Sequence, residues 1–308
     1  MAARTSADAS GTASAHRRLA GEEPLVDMHA HFFHPDCGRD DWVERNDARL
    51  RAGERIGIDV HIGSVLGTFG FTSPTYFPSP RDVTLGNDAM LALARADRRI
   101  RAYVAVNPND TSHALDEIAR CAARGAIGIK LAASRRADDP LLDPIAEDAA
   151  RRGFPILHHI WQHRRREWPG QEASDGVEYG RLAKRHPTVA FILAHIGGGG
   201  DWAHTLPAVE DLPNVVLDLS GSGVDRGMLD AAYRAVGAER LIWGCDITME
   251  TGLAKLRALS VVGLSAAEMS AVRWRNSARI FPAGAFRELE ARLGPTRLAN
   301  RDVGNALV

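Results

Sequence analysis

The sequence predicts a (β/α)8 barrel, with residues 24–308 as its single domain and residues 1–23 as a disordered tail. Two observations predict this fold. Eight short apolar runs recur from residue 25 onward, and segments with helical spacing of apolar residues lie between them. This alternation is typical of a parallel sheet buried on both faces, and eight units favour closure into a barrel. An open doubly wound sheet is the alternative, but no GxGxxG motif follows the first run.

The strand candidates are rich in valine, isoleucine and leucine, and several of them end in histidine or aspartate. They are LVDMHAH (25–31), IDVHIGSVL (58–66), RAYVAVN (101–107), AIGIKLA (126–132), FPILHHIW (154–161), VAFILAHIG (189–197), NVVLDLS (214–220) and RLIWGCD (240–246).

The connecting segments carry helix signals. Segments 111–125 and 143–153 have apolar residues at helical spacing, and each ends in glycine, a natural helix stop. Segment 265–281 begins with a capping-box pattern and predicts closing helices that support the barrel. The longest irregular stretch, 66–83, is rich in glycine, proline and aromatic residues, which predicts a lid or substrate wall over the barrel mouth.

Composition excludes several classes of partner. The formal net charge of -1 gives no electrostatic reason to expect nucleic acid or an acidic membrane. No stretch approaches the roughly 20 apolar residues of a membrane span, and the first 23 residues contain no apolar core of a secretory signal. The three cysteines have no CxxC spacing, which fits a reducing compartment, so we expect a cytoplasmic protein with a small-molecule substrate.

The first apolar run holds three of the chain's 12 histidines in LVDMHAHFFHPD. A single His-x-His pair arises easily by chance, so this motif alone is weak. The ends of three other strand candidates supply further donors: His158 and His159, His195, and Asp246. Chemistry gathers at the carboxyl ends of the strands in a parallel barrel, and these side chains would meet there.

This set of donors predicts a catalytic metal site. His29 and His31 lie two residues apart on one strand, so both should point into the barrel. Imidazole and carboxylate are ligands for Zn²⁺, Mn²⁺ or Fe²⁺, and a set without thiolate suits catalysis better than a structural role. A water bound to such a metal ionises near neutral pH and becomes a strong nucleophile.

The motifs VDMHAH, GIKL, FPILHHIW, FILAHIGG, RLIWGCD and NSARIF resemble the amidohydrolase superfamily over residues 24–282. The likeness is to its amidohydrolase-related branch, which includes zinc hydrolases and decarboxylases such as aminocarboxymuconate semialdehyde decarboxylase. It implies that one divalent metal, expected to be Zn²⁺ with Mn²⁺ or Fe²⁺ as alternatives, is bound by the strand-one pair, a strand-five histidine and Asp246. It places His195 beside the metal water.

Two residues of this set carry alternatives. Adjacent His158 and His159 face opposite sides of the strand, and the family usually places its ligand four residues after the proline of this strand, which selects His159 over His158. In binuclear members a strand-four lysine is carbamylated and bridges two metals. Lys130 occupies that place, but single-metal sites are commoner in this branch, so one metal is the expectation.

Neighbouring polar residues have simpler interpretations. We expect His34 in a solvated loop, with a substrate contact as the alternative, and His61 in a core or supporting position. Cys245 fits a small buried residue. Asp27 should share the inward face of His29 and either orient a ligand or form hydrogen bonds at the barrel floor.

Substrate contacts are predicted on the rim loops. An arginine above a metal site can bind a substrate carboxylate through two hydrogen bonds. Aromatic side chains there could form apolar walls, or could simply pack. The candidates are Arg135, Arg136, Arg164 and Arg165, with Trp161 and Phe69 as walls.

The expected activity is metal-dependent hydrolysis of an amide, lactone or ester bond. His195 would accept and return the proton, while Asp246 holds the metal and shares the proton transfer. The alternative is metal-dependent, non-oxidative decarboxylation of an aromatic or unsaturated carboxylate. A binding protein that has lost catalysis is less favoured, because the full donor set is retained. Barrels of this kind often dimerise, so a homodimer is also expected.

Overall fold

Eight parallel strands form one sheet in the order β1-β2-β3-β4-β5-β6-β7-β8, each paired with its neighbour in sequence. Every strand candidate overlaps one of them, which confirms the (β/α)8 prediction. The strands are β1 (Val26–His31), β2 (Val60–Ser64), β3 (Ile100–Val106), β4 (Ala126–Leu131), β5 (Ile156–His158), β6 (Phe191–Leu193), β7 (Val215–Asp218) and β8 (Leu241–Ile242). This computed structural model describes residues 23–65, 78–160, 174–196, 202–221, 227–247 and 249–293.

The sheet nearly closes because its first strand meets the segment that follows its last. The amide of Met28 donates to the carbonyl of Trp243 (3.2 Å), and the amide of Asp246 donates to the carbonyl of His29 (2.7 Å). An isolated parallel bridge joins Ala30 and Asp246. The two ends of the barrel domain are therefore held together at the position of the predicted metal ligands.

Helices alternate with the strands and surround the sheet. The helices are α1 (Trp42–Ile56), α2 (Pro80–Ala96), α3 (Thr111–Ala122), α4 (Asp143–Arg152), α5 (Gly176–Arg185), α6 (Trp202–Val209), α7 (Met228–Val236), α8 (Met249–Leu259), α9 (Ala266–Ser270), α10 (Asn276–Ile280) and α11 (Arg287–Leu293). Within the described residues, no helix is long and apolar enough to cross a membrane.

Local signals explain several helix ends. Helix α4 stops at Gly153, which adopts a left-handed conformation (φ +65°) that favours glycine. Ser265 and Glu268 form the predicted capping box before α9, and a π-helical segment, Ala271–Arg275, then runs directly into α10. These predictions are confirmed.

The irregular stretch predicted over residues 66–83 extends too far. Helix α2 already begins at Pro80, because the Ser79 side chain accepts from the amide of Asp82 and the Asp82 carboxylate accepts from the amide of Ser79. The proline at the first helical position fits this start, where no amide partner is needed. Residues 66–77 of the predicted lid lie outside the described residues.

Two apolar layers stabilise the barrel. One lies between the strands and helices and includes outward residues such as Phe191 and Leu217. The other fills the amino-terminal half of the interior with inward residues such as Ile192 and Val216. Trp274, from the π-helical segment, belongs to this inner layer, so the closing helices support the barrel as predicted.

Glu23, the last residue assigned to the tail, is fixed against these closing helices. Its carboxylate accepts from the Trp274 indole (2.8 Å) and the Ser270 hydroxyl (2.9 Å). Residues 1–22 lie outside the described residues, so the disorder predicted for the tail remains a prediction.

Tyr103→Phe should destabilise the fold. The Tyr103 hydroxyl donates to the Met28 carbonyl (2.8 Å) in the buried interior, where water cannot replace it. We expect the free energy of unfolding to fall by about 1 to 3 kcal/mol, measured by urea denaturation. The control is Tyr233→Phe, whose hydroxyl donates to Glu268 in a half-buried setting. An equal loss in both variants would contradict the interior hydrogen bond as the cause.

Candidate active site

Five predicted site residues meet at the carboxyl ends of the strands. His29 Nε2 lies 3.2 Å from His31 Nε2, and His31 Nε2 lies 3.2 Å from Asp246 Oδ1. His195 Nδ1 lies 3.8 Å from Asp246 Oδ2, and His195 Nε2 lies 2.7 Å from His159 Nδ1. The structure therefore brings all five side chains into one chain of contacts.

The second ring nitrogen of His29 contacts two residues that sequence analysis missed. Its Nδ1 lies 2.7 Å from Asp218 Oδ2 and 2.9 Å from Ser220 Oγ. A carboxylate at Nδ1 favours the tautomer with hydrogen on Nδ1, which leaves Nε2 free to bind a metal. The signal was present in NVVLDLS, where Asp218 and Ser220 are two residues apart at a strand end, as His29 and His31 are.

The donor set fits a divalent metal. One donor atom from each of His29, His195 and Asp246 lies within 4.8 Å of the other two, and imidazole and carboxylate suit Zn²⁺, Mn²⁺ or Fe²⁺. This group differs from the predicted ligand set, because it includes His195. His31 contacts His29 and Asp246, and His159 contacts His195. The assignment of each histidine as ligand or proton carrier remains a prediction.

Burial sets the charge of these groups. It lowers the pKa of His29 and His159 well below the ordinary value and lowers the pKa of His31 and His195 as well. Burial alone would raise the pKa of Asp246, but nearby His195 and a hydrogen bond from His31 hold it well below its usual range. Neutral imidazoles beside an ionised carboxylate are the protonation states that metal binding requires.

Strand β5 separates its two histidines as predicted. The His158 ring packs edge-on against Tyr179 of α5, with centroids 5.8 Å apart, so it lies outside the sheet. His159 follows the strand and faces His195 on the inside. The position of His159 in the pocket agrees with its selection over His158.

Two residues of the pocket have an unusual backbone. Ala133, His195 and Asp246 are the non-glycine residues with positive φ in the described chain, at +60°, +61° and +60°. This left-handed region is costly for such residues and is concentrated at functional sites. His195 and Asp246 also lie beyond the last residues of β6 and β8. Their directions are thus set by the turn and not by strand alternation.

Lys130 points into the same pocket from β4. Its side chain is fully buried, and its Nζ lies 2.7 Å from His29 Nε2. In the described part of the chain, no carboxylate oxygen lies within 4.0 Å of this nitrogen. Burial lowers the pKa of Lys130 to about 8. The ammonium is thus a second cationic centre beside the candidate metal ligands, and its carbamylation remains the alternative.

Asp27 lies behind the site and not on its inward face, so this expectation was wrong. An irregularity in β1 between Asp27 and Ala30 changes the alternation, so the Asp27 side chain points towards Arg49 of α1. Its carboxylate accepts from Arg49 and His61, both at 2.9 Å, and from the amide of Cys245 at 2.8 Å. His61 is therefore a supporting residue, as predicted, and Cys245 is buried.

The predicted rim contacts are only partly described. Arg135 is 34% exposed and lies 3.8 Å from Asp139, while Arg136 donates to Glu178 at 2.9 Å. Both arginines thus have a carboxylate neighbour, and their role as substrate contacts remains a prediction. The remaining candidates, Arg164, Arg165, Trp161 and Phe69, lie outside the described residues.

His34 was expected in a solvated loop, and this expectation was wrong. It is only 2% exposed. The segment after β1 folds against α1, where the backbone amide and carbonyl of Phe33 both bond to the Asn46 side chain at 2.9 Å. This pairing buries the start of the loop.

Comparison with known families now identifies the chain's relatives. Residues 26–283 match the family described as Amidohydrolase. The chain belongs to the amidohydrolase family. No curated protein matches the sequence significantly.

Solved structures support this barrel fold. The 2,6-dihydroxybenzoate decarboxylase from Rhizobium has 17% identity, a TM-score of 0.65, and coverage of 84% of this chain and 98% of its own. The 5-carboxyvanillate decarboxylase from Sphingomonas paucimobilis has 18% identity, a TM-score of 0.63, and coverage of 84% and 99%.

A dihydroxybenzoic acid decarboxylase from Polaromonas sp. JS666, with bound manganese and the inhibitor 2-nitroresorcinol, has 16% identity and a TM-score of 0.64. The match covers 84% of this chain and 97% of that one. At these identities the likeness shows the fold alone.

Lys130→Met should stabilise the metal-free protein at pH 7. Burial brings the pKa of Lys130 from 10.5 down to about 8, so the unfolded chain holds its proton more tightly. Wild-type stability should therefore rise between about pH 8 and 10, and the advantage of the variant, about 3 kcal/mol at most, should shrink over this window. Urea denaturation of both proteins at several pH values measures this difference.

The matched control is Lys184→Met, because Lys184 is exposed on α5. This variant should follow the wild-type pH profile. A constant offset between Lys130→Met and wild type from pH 7 to 10 would contradict a buried ammonium.

Proposed function

We propose that this protein is a metal-dependent, non-oxidative decarboxylase of an aromatic or unsaturated carboxylate. One observation carries the proposal: Lys130 Nζ lies buried 2.7 Å from His29 Nε2, so an ammonium adjoins the candidate metal ligands. A bound metal ion and the Lys130 ammonium would be two neighbouring cationic centres. Such a pair suits an anionic substrate better than a neutral amide or ester. The three decarboxylases of similar fold support the same reaction class.

The metal would be held by His29, His31, His159 and Asp246, the ligand set proposed from the family resemblance. The contacts among His29, His31 and Asp246, at 3.2 to 3.8 Å, support three of these four. When bound, a divalent ion supplies Lewis acidity and orients the anionic oxygens of the substrate. Zn²⁺ remains the expected ion, and Mn²⁺ is the alternative because a similar decarboxylase holds manganese.

His195 is the proposed proton carrier to carbon. Burial lowers its pKa, so the ring is neutral at rest and takes up a proton before it acts as the acid. Its ring is 4% exposed and is held by His159 at Nε2 (2.7 Å) and by Ser220 at Nδ1 (3.2 Å). The proton forms a C–H bond at the carbon that carries the carboxylate. The C–C bond then breaks, its electron pair returns to the unsaturated system, carbon dioxide leaves, and His195 regains a proton from water.

Hydrolysis is the second candidate, and sequence analysis favoured it. The arrangement of His195 Nδ1 at 3.8 Å from Asp246 Oδ2 also suits a base that removes a proton from water. Decarboxylation is now preferred because the buried ammonium and the similar solved structures both favour a carboxylate substrate. A cytoplasmic location and a homodimer are kept as proposals.

The metal site predicts about one equivalent of divalent metal in the purified protein, and His29→Ala should lose it. The reason is that His29 Nε2 lies near two other candidate ligands, His31 and Asp246. Elemental analysis measures the content after exposure to Zn²⁺ or Mn²⁺. His113→Ala, on the surface helix α3, is the control that should keep the metal. Wild-type protein that takes up no metal would overturn this proposal.

A screen of hydroxybenzoates and related unsaturated acids in deuterium oxide tests the reaction. Decarboxylation predicts release of carbon dioxide and deuterium on the product carbon that carried the carboxylate. His195→Asn should slow turnover by about 10²- to 10⁴-fold while metal content holds, as for loss of a general acid. His113→Asn should retain activity.

The isotopes separate the two reactions. Hydrolysis of amides, lactones or esters in ¹⁸O-water would place the label in the product carboxylate and would replace decarboxylation as the function. Loss of metal in His195→Asn would instead make His195 a ligand.

A further inference from the structure

The chain contains only three lysines, and two of them are fully buried. Lysine is rarely buried unless it is paired, whereas Lys184 is exposed as expected for this residue. Lys130 belongs to the candidate active site. The other buried lysine, Lys255, lies on α8 outside the set of predicted residues, and its burial needs a separate explanation.

The Lys255 ammonium binds backbone and not a carboxylate. Its Nζ donates to the carbonyl of Ser220 (2.7 Å) and to the carbonyl of Gly221 (2.8 Å). Within the described ranges, no carboxylate oxygen lies within 4.0 Å of it. Two consecutive carbonyls just beyond β7 are thus held by one buried cation.

Helix α8, which carries Lys255, is anchored to the segment that follows β8. The Trp243 indole, next to β8, donates to the Gly252 carbonyl of α8 at 2.8 Å. A Cβ added at Gly252 would lie 2.6 Å from the Cys245 sulfur, so helix and strand segment approach closely here. Lys255 therefore reaches the end of β7 from a helix that is bound to the neighbouring strand.

Ser220 connects the Lys255 ammonium to the candidate active site. Its carbonyl accepts from Lys255, while its hydroxyl lies 2.9 Å from His29 Nδ1 and 3.2 Å from His195 Nδ1. Its amide donates to Asp218 Oδ1 at 2.8 Å. A displacement of the Ser220 backbone would consequently move the hydroxyl away from both imidazoles.

We propose that Lys255 is a positioning residue that fixes the Ser220–Gly221 backbone and thereby holds the Ser220 hydroxyl against His29 and His195. The role in orienting imidazoles follows from the contacts alone. Its effect on metal binding rests on the proposed function.

Lys255→Met tests this role, with Lys184→Met as the matched control. Loss of a group that orients metal ligands typically weakens metal binding by about 10- to 100-fold, and we expect a loss in this range for Lys255→Met and none for the control. Competition with a chromophoric chelator for Zn²⁺ or Mn²⁺ measures affinity. Thermal unfolding of the metal-free protein checks that each variant is folded.

A double-mutant cycle with Ser220→Ala separates positioning from general support. If Lys255 acts through the Ser220 hydroxyl, Lys255→Met should weaken metal binding much less in the Ser220→Ala background than in wild type. Additive losses would overturn the proposal. Lys255→Gln, which keeps N–H donors, should recover part of the affinity and also serves if Lys255→Met does not fold.

A readout without metal distinguishes failure of this inference from failure of the proposed function. In metal-free protein, the imidazole ¹⁵N NMR signals of His29 and His195 should shift in Lys255→Met and stay unchanged in Lys184→Met. If wild type binds no metal, the proposed function fails, yet these signals still decide the role of Lys255. Unchanged signals, or unchanged affinity in a metal-binding wild type, would overturn the positioning role.

Discussion

The site depends on closure of the barrel between its first strand and the segment after its last. The Asp246 amide donates to the His29 carbonyl, so two candidate ligands from distant parts of the sequence share one backbone hydrogen bond. Asp27 strengthens the same junction by accepting from the amide of Cys245. This junction places His29 and Asp246 next to each other at the barrel seam.

The junction itself is supported by buried charge. Asp27 is fully buried and would be costly as a lone carboxylate, but Arg49 and His61 both donate to it. Burial opposes its ionisation, yet Arg49 and His61 together bring the pKa of Asp27 below its ordinary value. The ionised carboxylate can then accept from the backbone on both sides of the barrel seam.

Sequence periodicity was sufficient for the fold and for the shared direction of His29 and His31. Adjacency predicted opposite faces for His158 and His159, and the family's spacing from Pro155 selected His159. The capping box at Ser265 located the start of the closing helices. Alternation failed at Asp27, because an irregularity in β1 turns its side chain outward. Alternation also does not apply to His195 and Asp246, which follow the last residues of their strands. The left-handed backbone at these residues sets the direction of their side chains.

The support of the site was harder to foresee from sequence, because it comes from contacts across separate units. Asp218 and Ser220 appear as an ordinary strand end until barrel closure brings β7 close to β1, with β8 between them. Lys255 appears as one polar residue in an amphipathic helix until its ammonium is found against two backbone carbonyls. The two-residue spacing of Asp218 and Ser220 was a weak signal in the sequence, but the partners of these residues and of Lys255 depend on the three-dimensional arrangement.

The electrostatics of the pocket limit the chemistry that it can support. Two unit charges 4 Å apart repel by about 4 kcal/mol at an effective dielectric of 20, so an ammonium beside a bound dication is unfavourable. Three changes would relieve this repulsion: deprotonation of Lys130, its conversion to a carbamate, or an anionic substrate between the two centres. The first is accessible because burial lowers the pKa of Lys130 to about 8. The third makes substrate binding itself relieve the repulsion, which favours a carboxylate over a neutral ester at this site.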